Sequence, residues 1–544
     1  MKSYYFKSII LIAALFTNIS LHAQVRVVAQ QPIIPVLIDK PYNPVLRLNF
    51  IKTKGCNAKV SSLKLSIGGD VCCAGNVTLY LADKNGRPNP EYALSASKAA
   101  KKTTSIDSPI FLTQDTTTVW VSLTLGKDAK LKHKVKVDCA SAIIDGQQVE
   151  IEHESELKPL RLGVALRTSY KDNIHTSRIP GIATSKSKTL LAIYDARYEL
   201  SRDLQGNIDI ALNRSLDGGL TWQPTQIILD KKNWGNLPEK FNGISDACIL
   251  VDECTGTIYV AGLWMHGVLD NNTGKWIDNL SENSTTWNHQ WLFKGSQPGT
   301  GIKETSQFLI THSTDDGKTW SEPQNITGQT KNAEWWLYAP APGHGITLKD
   351  GTLVFPTQGR DRHGVPFSNI TYSKDGGKTW TASNPAYTNT TECMAVELND
   401  GSIMLNMRDN RNKGNTSVNG RRICTTHDMG QTWTEHPTSR KALIEPTCMA
   451  SLHKHVYSRK KENKSILLFC NPESCNERNH MTLKVSFDDG KTWPSTHKIL
   501  LDEWDNFGYS CITSVDENTI GVLYESSQAQ MVFQQISLKD LLKE

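Results

Sequence analysis

The chain has 544 residues, with 60 Lys and Arg against 55 Asp and Glu, a formal net charge of +5. That length exceeds what one compact core usually organises, so two domains are expected, and the nearly balanced, scattered charge argues against a nucleic-acid groove. Twelve cysteines without a single CxxC pair argue against a structural zinc site.

In chain order, Lys2 and Lys7 precede an apolar run, Ile9 to Phe16, which leads to Leu21-His22-Ala23. A run too short to span a bilayer, followed by a small residue, predicts an export signal over 1–23. The mature chain is then expected in the periplasm, at the outer surface or outside the cell. No later segment reads as a transmembrane span. Residues 24–155 alternate in the strand manner, as in Val77-Thr-Leu-Tyr-Leu and Thr118-Val-Trp-Val-Ser-Leu-Thr-Leu, between Gly, Asn and Pro turns. Two packed antiparallel sheets, a β-sandwich, are expected there, with the junction at Lys158-Pro159.

Residues 156–544 are organised by a repeat. Ser215-Leu-Asp217-Gly-Gly219-Leu-Thr221-Trp222 has counterparts beginning at Ser313, Ser373, Thr426 and Ser486, all of the form Ser/Thr-x-Asp-x-Gly-x-Thr-Trp. The starts lie 98, 60, 53 and 60 residues apart. The pattern describes a hairpin: Asp accepts local backbone N–H groups, Gly takes a positive φ, and Trp folds back onto the turn. Spacing near 55 residues suits one four-stranded propeller blade. The long first gap holds either an insertion or a blade without the box, the latter giving six. The expected fold is therefore all-β, a six-bladed β-propeller over 156–544 preceded by the sandwich. The boxes are assigned to folding, and a short helix is expected near 538–542. Cysteines inside apolar runs, such as Cys248, read as buried thiols; Cys470 and Cys475 are the expected disulfide.

Between the boxes stand Ser177-Arg178-Ile179-Pro180-Gly181, Thr391-Glu392-Cys393-Met394, Leu405-Asn-Met-Arg408-Asp409, Arg478 eight residues before the last box, and Gly508-Tyr509-Ser510-Cys511. In this order they resemble the bacterial exo-sialidases (neuraminidases with Asp-box, or BNR, repeats), a likeness that runs from about residue 160 to 536. The resemblance implies an exo-α-sialidase that removes terminal sialic acid from glycoproteins, glycolipids or oligosaccharides. It assigns Arg178, Arg408 and Arg478 to a clamp on the sugar carboxylate, Tyr509 to the nucleophile, and Glu392 to the base that takes the tyrosine's proton. The chemistry suits these residue types. Guanidinium binds carboxylate in bidentate fashion, and a neutral phenol meets none of the repulsion that the substrate's carboxylate would exert on a carboxylate nucleophile.

The run Tyr194-Asp195-Ala196-Arg197-Tyr198-Glu199-Leu200-Ser201-Arg202-Asp203 resembles the family segment carrying the acid/base aspartate. Asp203 is taken as that group, with Asp195 and Glu199 as competitors and Arg197 bonding a sugar hydroxyl. Loop closure and partial burial are expected to raise the Asp203 pKa. Glu525 is implied as the carboxylate that orients Arg178. Asp246 is implied near the N-acetyl pocket, a turn-capping role standing beside it. Trp264, Trp276, Trp287 and Trp291 are candidates for sugar contact, and Gln358 is a weaker one. No metal or other cofactor is implied. Two other functions stay open: a non-catalytic sialic-acid-binding lectin, and a variant that transfers sialic acid or forms an anhydro product. The sandwich is expected to bind carbohydrate or to act as a spacer.

Overall fold

The computed structural model describes residues 25–543, apart from 55–56, 205, 236–237, 269, 271, 274–276, 278–287, 290–294 and 415–417. The expected export signal lies outside the described residues, as do Trp276, Trp287 and Trp291. Among the described residues no helix is long and apolar enough to cross a membrane.

The N-terminal part is built from two sheets. Strands Val25–Gln30, Pro44–Lys52, Thr116–Leu125 and Ala74–Ala82 form one; Lys134–Ile144, Ala58–Gly69 and Thr103–Leu112 form the other. Strict alternation fixes which face is buried: along Thr103–Leu112 every second residue is inside, as a period of two requires. Val27, Leu48, Phe50, Leu65, Val121 and Val137 meet in one core between the sheets. Strand Leu160–Arg167 then pairs on one edge with Lys134–Ile144 and on the other with Met531–Ser537. One strand thus joins the sandwich to the end of the chain.

The remainder is a β-propeller. Antiparallel four-stranded units run in chain order from Thr176–Thr184 to Gln226–Leu229, Asn242–Val251 to Gln324–Asn325, Leu337–Pro340 to Thr381–Ala382, Thr390–Glu397 to Thr434–Glu435, and Ser451–Arg459 to Lys498–Asp502. Strands Ser510–Asp516, Thr519–Tyr524 and Met531–Ser537 make a further unit, completed by Leu160–Arg167. The inner strand Thr176–Thr184 lies against both Asn242–Val251 and Ser510–Asp516, so the ring closes and its last sheet edge is paired. The boxes at Ser215 and Ser313 fall on consecutive units. The long gap between them is therefore an insertion, and the unit without a box is the one completed by Leu160–Arg167.

Each box joins the third and fourth strands of its unit. In the box at 373–380, Ser373 Oγ donates to Asp375 (2.8 Å), and Thr379 N and Oγ1 donate to the same carboxylate (2.9 and 2.7 Å). Trp380 Nε1 donates to Gly377 O (3.1 Å), and its buried ring packs 5.2 Å from Phe355. Trp433 departs from this pattern and donates to Asn384 O. The short helix spans Leu538–Leu542. The expected Cys470–Cys475 disulfide is absent: Cys470 is buried within a strand with its Sγ 3.5 Å from Met481 Sδ, and both cysteines are free thiols.

Because Trp380 is buried between two units and makes no contact with the residues discussed below, Trp380→Ala is expected to cost about 3–5 kcal/mol of stability. The kcat/KM of the protein that remains folded should be unchanged. Denaturant unfolding together with activity titration checks this.

Candidate active site

The site forms at one end of the propeller channel, where irregularities in the inner strands re-aim side chains. Register shifts interrupt pairing between Arg178 and Gly181, Ser245 and Cys248, and Thr390 and Cys393. They fall on the stretches that carry Arg178, Asp246 and Glu392. Ile179 takes φ 63° and Asp246 φ 56°; for a β-branched residue such as Ile179 this is a costly conformation, sustained only by its surroundings. Those surroundings are visible. Ile179 N donates to Glu525 Oε1 (3.1 Å), and a Cβ on Gly181 would lie 2.7 Å from Gly343 O, so the inner strands approach more closely than any other residue would permit.

Glu525 ties two parts of the site together. It is fully buried and accepts from Arg178 Nε and Nη2 (2.9 and 3.3 Å), from Ile179 N, and from Tyr509 N (3.0 Å). Burial opposes the charge on Arg178, but the Glu525 carboxylate outweighs it and holds the guanidinium firmly protonated.

Arg178, Arg408 and Arg478 converge on one phenol. The Arg178 and Arg478 guanidinium carbons lie 5.2 and 5.8 Å from the Tyr509 ring centre, and Arg408 Nη1 lies 3.4 Å from Tyr509 Oη. Tyr509 Oη donates to Glu392 Oε1, and Arg408 Nη1 donates to Glu392 Oε2 (2.7 Å). Burial, and then the nearby Glu392 carboxylate, push the Tyr509 hydroxyl well above its ordinary range, so the phenol is neutral at physiological pH. Arg478 Nη1 donates to Phe507 O (2.9 Å). The bonded nitrogens of Arg408 and Arg478 account for only part of each guanidinium, and among the described residues Arg408 Nε is a buried donor with no partner. Donors are therefore left over for an anion.

Asp203 sits across from this group. Its Oδ1 accepts from Arg197 Nη1 (2.8 Å) and lies 3.7 Å from Arg178 Nη1, yet its side chain is 61% exposed. With Asp203 this exposed, the shift runs opposite to the rise expected on closure and burial. Desolvation does act upward, but the Arg197 and Arg178 guanidiniums outweigh it and hold Asp203 below the usual carboxylate range. Asp195 is no rival for its place: it is fully buried, accepts from Arg197 Nε and Nη2 (3.2 and 2.9 Å) and from Ser245 Oγ (2.6 Å), and is pushed up to about 6, chiefly by burial. Glu199 is exposed.

Asp246 is no surface turn cap. It is buried, accepts from Gln358 Nε2 (3.2 Å), and is raised well above the ordinary range by burial and then by Glu392. Gln358, the weaker candidate, is buried beside Asp246. Trp264 is not a sugar contact: it is fully buried, 4.6 Å from the Trp234 ring. Ser245 and Phe507 went unnoticed in the sequence, since neither stands in a distinguishing motif; their positions depend on the strand irregularity and on the segment before Tyr509. A cavity of about 530 Å³ at the opposite end of the channel, lined by His344, His453 and Lys454 among others, contains none of these residues.

Residues 188–522 match the BNR repeat-like domain, so fold and repeat together define a BNR-repeat β-propeller. A sialidase of Bacteroides fragilis is 39% identical over 542 aligned residues, covering 94% of each chain. A sialidase of Micromonospora viridifaciens is 29% identical, covering 68% of this chain and 52% of its own. Among solved structures, the Hadza microbial sialidase Hz136 superposes with TM-score 0.83 at 34% identity, over 94% of this chain and 100% of that one. An intramolecular trans-sialidase from Ruminococcus gnavus, at 18% identity and TM-score 0.53, shares the fold. The chain belongs to the sialidases, a family of BNR-repeat glycoside hydrolases.

Glu525→Ala leaves the Arg178 guanidinium and two backbone N–H groups buried without their acceptor. A loss of about 3–5 kcal/mol in unfolding free energy is expected, with a smaller loss for Glu525→Gln, which keeps one acceptor oxygen. Equal stability of Glu525→Ala and the parent in denaturant titration would contradict the bridging role.

Proposed function

We propose that this chain is an exo-α-sialidase that hydrolyses terminal sialic acid from glycoproteins, glycolipids or oligosaccharides with retention, through a covalent Tyr509 intermediate. The observation that carries the reading is the convergence of Arg178, Arg408 and Arg478 on a neutral tyrosine already bonded to Glu392.

The substrate carboxylate takes the unspent donors of the three arginines, which places the anomeric carbon over Tyr509. As Tyr509 Oη bonds to that carbon, its proton passes to Glu392, because a phenol near pKa 10 or above needs an acceptor at neutral pH. The bond to the departing glycan oxygen breaks while Asp203 donates a proton to it. Asp203 then takes a proton from water, which attacks the anomeric carbon, releases sialic acid and returns the proton to Tyr509 through Glu392. Arg197 steers Asp203 and faces a sugar hydroxyl, and Asp246 with Gln358 lines the acyl side of the pocket. Export through the 1–23 leader would place this activity outside the cytoplasm.

Removing the nucleophile should lower turnover of a fluorogenic sialoside by roughly 10³-fold in Tyr509→Phe, with carboxylate inhibitor affinity largely kept. Near-normal turnover would defeat the assignment. An inactive parent that binds sialosides would favour a lectin, and NMR of the products separates hydrolysis from transfer or anhydro-sugar formation. Carbohydrate binding by the sandwich draws support from Tyr92, exposed on its Pro88–Ala93 strand; glycan-array binding by the full chain with the propeller site blocked tests it.

The depressed Asp203 pKa carries a pH consequence. In the free enzyme Arg178 and Arg197 favour ionised Asp203, so the protonated acid is lost above a low pKa. A bound carboxylate neutralises part of the Arg178 charge and lets the Asp203 pKa rise. With a natural, poor leaving group, the basic limb of kcat should lie at higher pH than that of kcat/KM, which reports the free enzyme. The opposite order would contradict this account.

A further inference from the structure

The N-terminal sandwich meets a short segment that leads to the site. Asp502, fully buried, anchors its start by accepting from Ser526 Oγ (2.6 Å), Ser527 N (2.8 Å) and Ser527 Oγ (2.7 Å). Glu503 N then donates to Ile33 O (2.9 Å), a carbonyl from the N-terminal part. The Trp504 ring meets the buried Trp120 of the sandwich edge-on at 5.9 Å, and the Arg87 guanidinium lies 5.5 Å over its face. Trp120 is itself fixed, its Nε1 donating to Gly86 O (3.1 Å).

Beyond Trp504 the contacts lead straight to the clamp. Asn506 Nδ2 donates to Trp504 O (3.0 Å), and Asn506 N donates to Arg478 O (2.9 Å). Phe507 O accepts from Arg478 Nη1, while the Phe507 ring, 45% exposed, covers the Arg178 guanidinium at 4.5 Å. Gly508, at φ 92°, ends the segment; a Cβ there would fall 2.8 Å from Cys448 Sγ and 3.1 Å from Arg478 Cδ. Arg478 is the clamp arginine without a carboxylate partner among the described contacts. Arg178 has Glu525 and Arg408 has Glu392, whereas the bond that holds the Arg478 head goes to a carbonyl of this segment.

We propose that the sandwich acts as a positioning element for the active site: Trp120 and Arg87, through Trp504, hold the 502–507 segment so that its Phe507 carbonyl aims Arg478 at the substrate carboxylate. This rests on the carboxylate-clamp reading above and adds to it a role for the sandwich in affinity for the monomeric sugar. A tether or a spacer would have no such effect. An anion clamp depends on exact placement, and a guanidinium freed from its carbonyl loses part of its contribution without disturbing the nucleophile.

The test uses the full chain. In Trp504→Ala and in Trp120→Ala, KM for a small sialoside should rise roughly 10-fold with kcat within about twofold, and Trp504→Phe should restore most of the loss. Binding of free sialic acid, measured by calorimetry, should weaken by the same factor, while its analogue with the carboxyl reduced to hydroxymethyl should bind the variants and the parent alike. Phe111→Ala, at an exposed position elsewhere on the sandwich, should change nothing. Equal weakening of both ligands, or a fall in kcat that merely tracks the folded fraction, would overturn the proposal and leave the clamp standing. A parent that binds the acid and the hydroxymethyl analogue equally would overturn the clamp itself, and this proposal with it.

Discussion

The structure is organised around a problem of charge. The guanidinium groups of Arg178, Arg408 and Arg478 gather around one phenol, and like charges at such range repel strongly unless each is balanced from behind. Glu525 balances Arg178, Glu392 balances Arg408, and a backbone carbonyl turns Arg478. The balancing groups take only part of the donors each guanidinium carries. Glu525 does more than pair: by accepting from Tyr509 N as well as Arg178 it sets the distance between clamp and phenol.

The propeller brings these residues together from distant parts of the chain. Inner strands carry Arg178, Asp246 and Glu392, a second strand carries Arg408, and the segments before Met481–Ser486 and Ser510–Asp516 carry Arg478 and Tyr509, so these side chains meet although up to hundreds of residues separate them in sequence. The boxes hold the outer hairpins, and the register shifts near Arg178, Asp246 and Glu392 turn the inner strand ends inward. Rigidity at the rim and strain at the mouth are two sides of one design. The positive φ of Ile179 persists because its amide is captured by Glu525 and its neighbours are packed too tightly to relax.

Much of this was legible in the sequence. Five copies of a hairpin with near-invariant Asp, Gly and Trp announce a repeat of sheets, and strict alternation in 24–155 announces a sandwich. Arg178, Glu392, Arg408, Tyr509 and Glu525 could be singled out by the short segments around them, and Arg478 by its distance from the last box; the structure brings all six together. What the sequence could not carry was environment. Asp203 reads as an acid with a raised pKa until Arg197 and Arg178 are seen beside it. Cys470 and Cys475 are near in sequence, but a strand turns Cys470 into the core. Trp264 resembles a sugar platform and proves to be packing. The link from Trp120 through Trp504 to Arg478 leaves no mark on the sequence, since it joins residues whose only relation is the fold.

Tyr509 is the group proposed to bond to the sugar. The most direct measurement is mass spectrometry of peptides from protein treated with a fluorinated sialic acid that forms its glycosyl adduct faster than water releases it. The adduct should map to the peptide containing Tyr509 and vanish in protein first saturated with a carboxylate inhibitor. An adduct on any other residue, or none while the same reagent blocks turnover, would contradict the assignment.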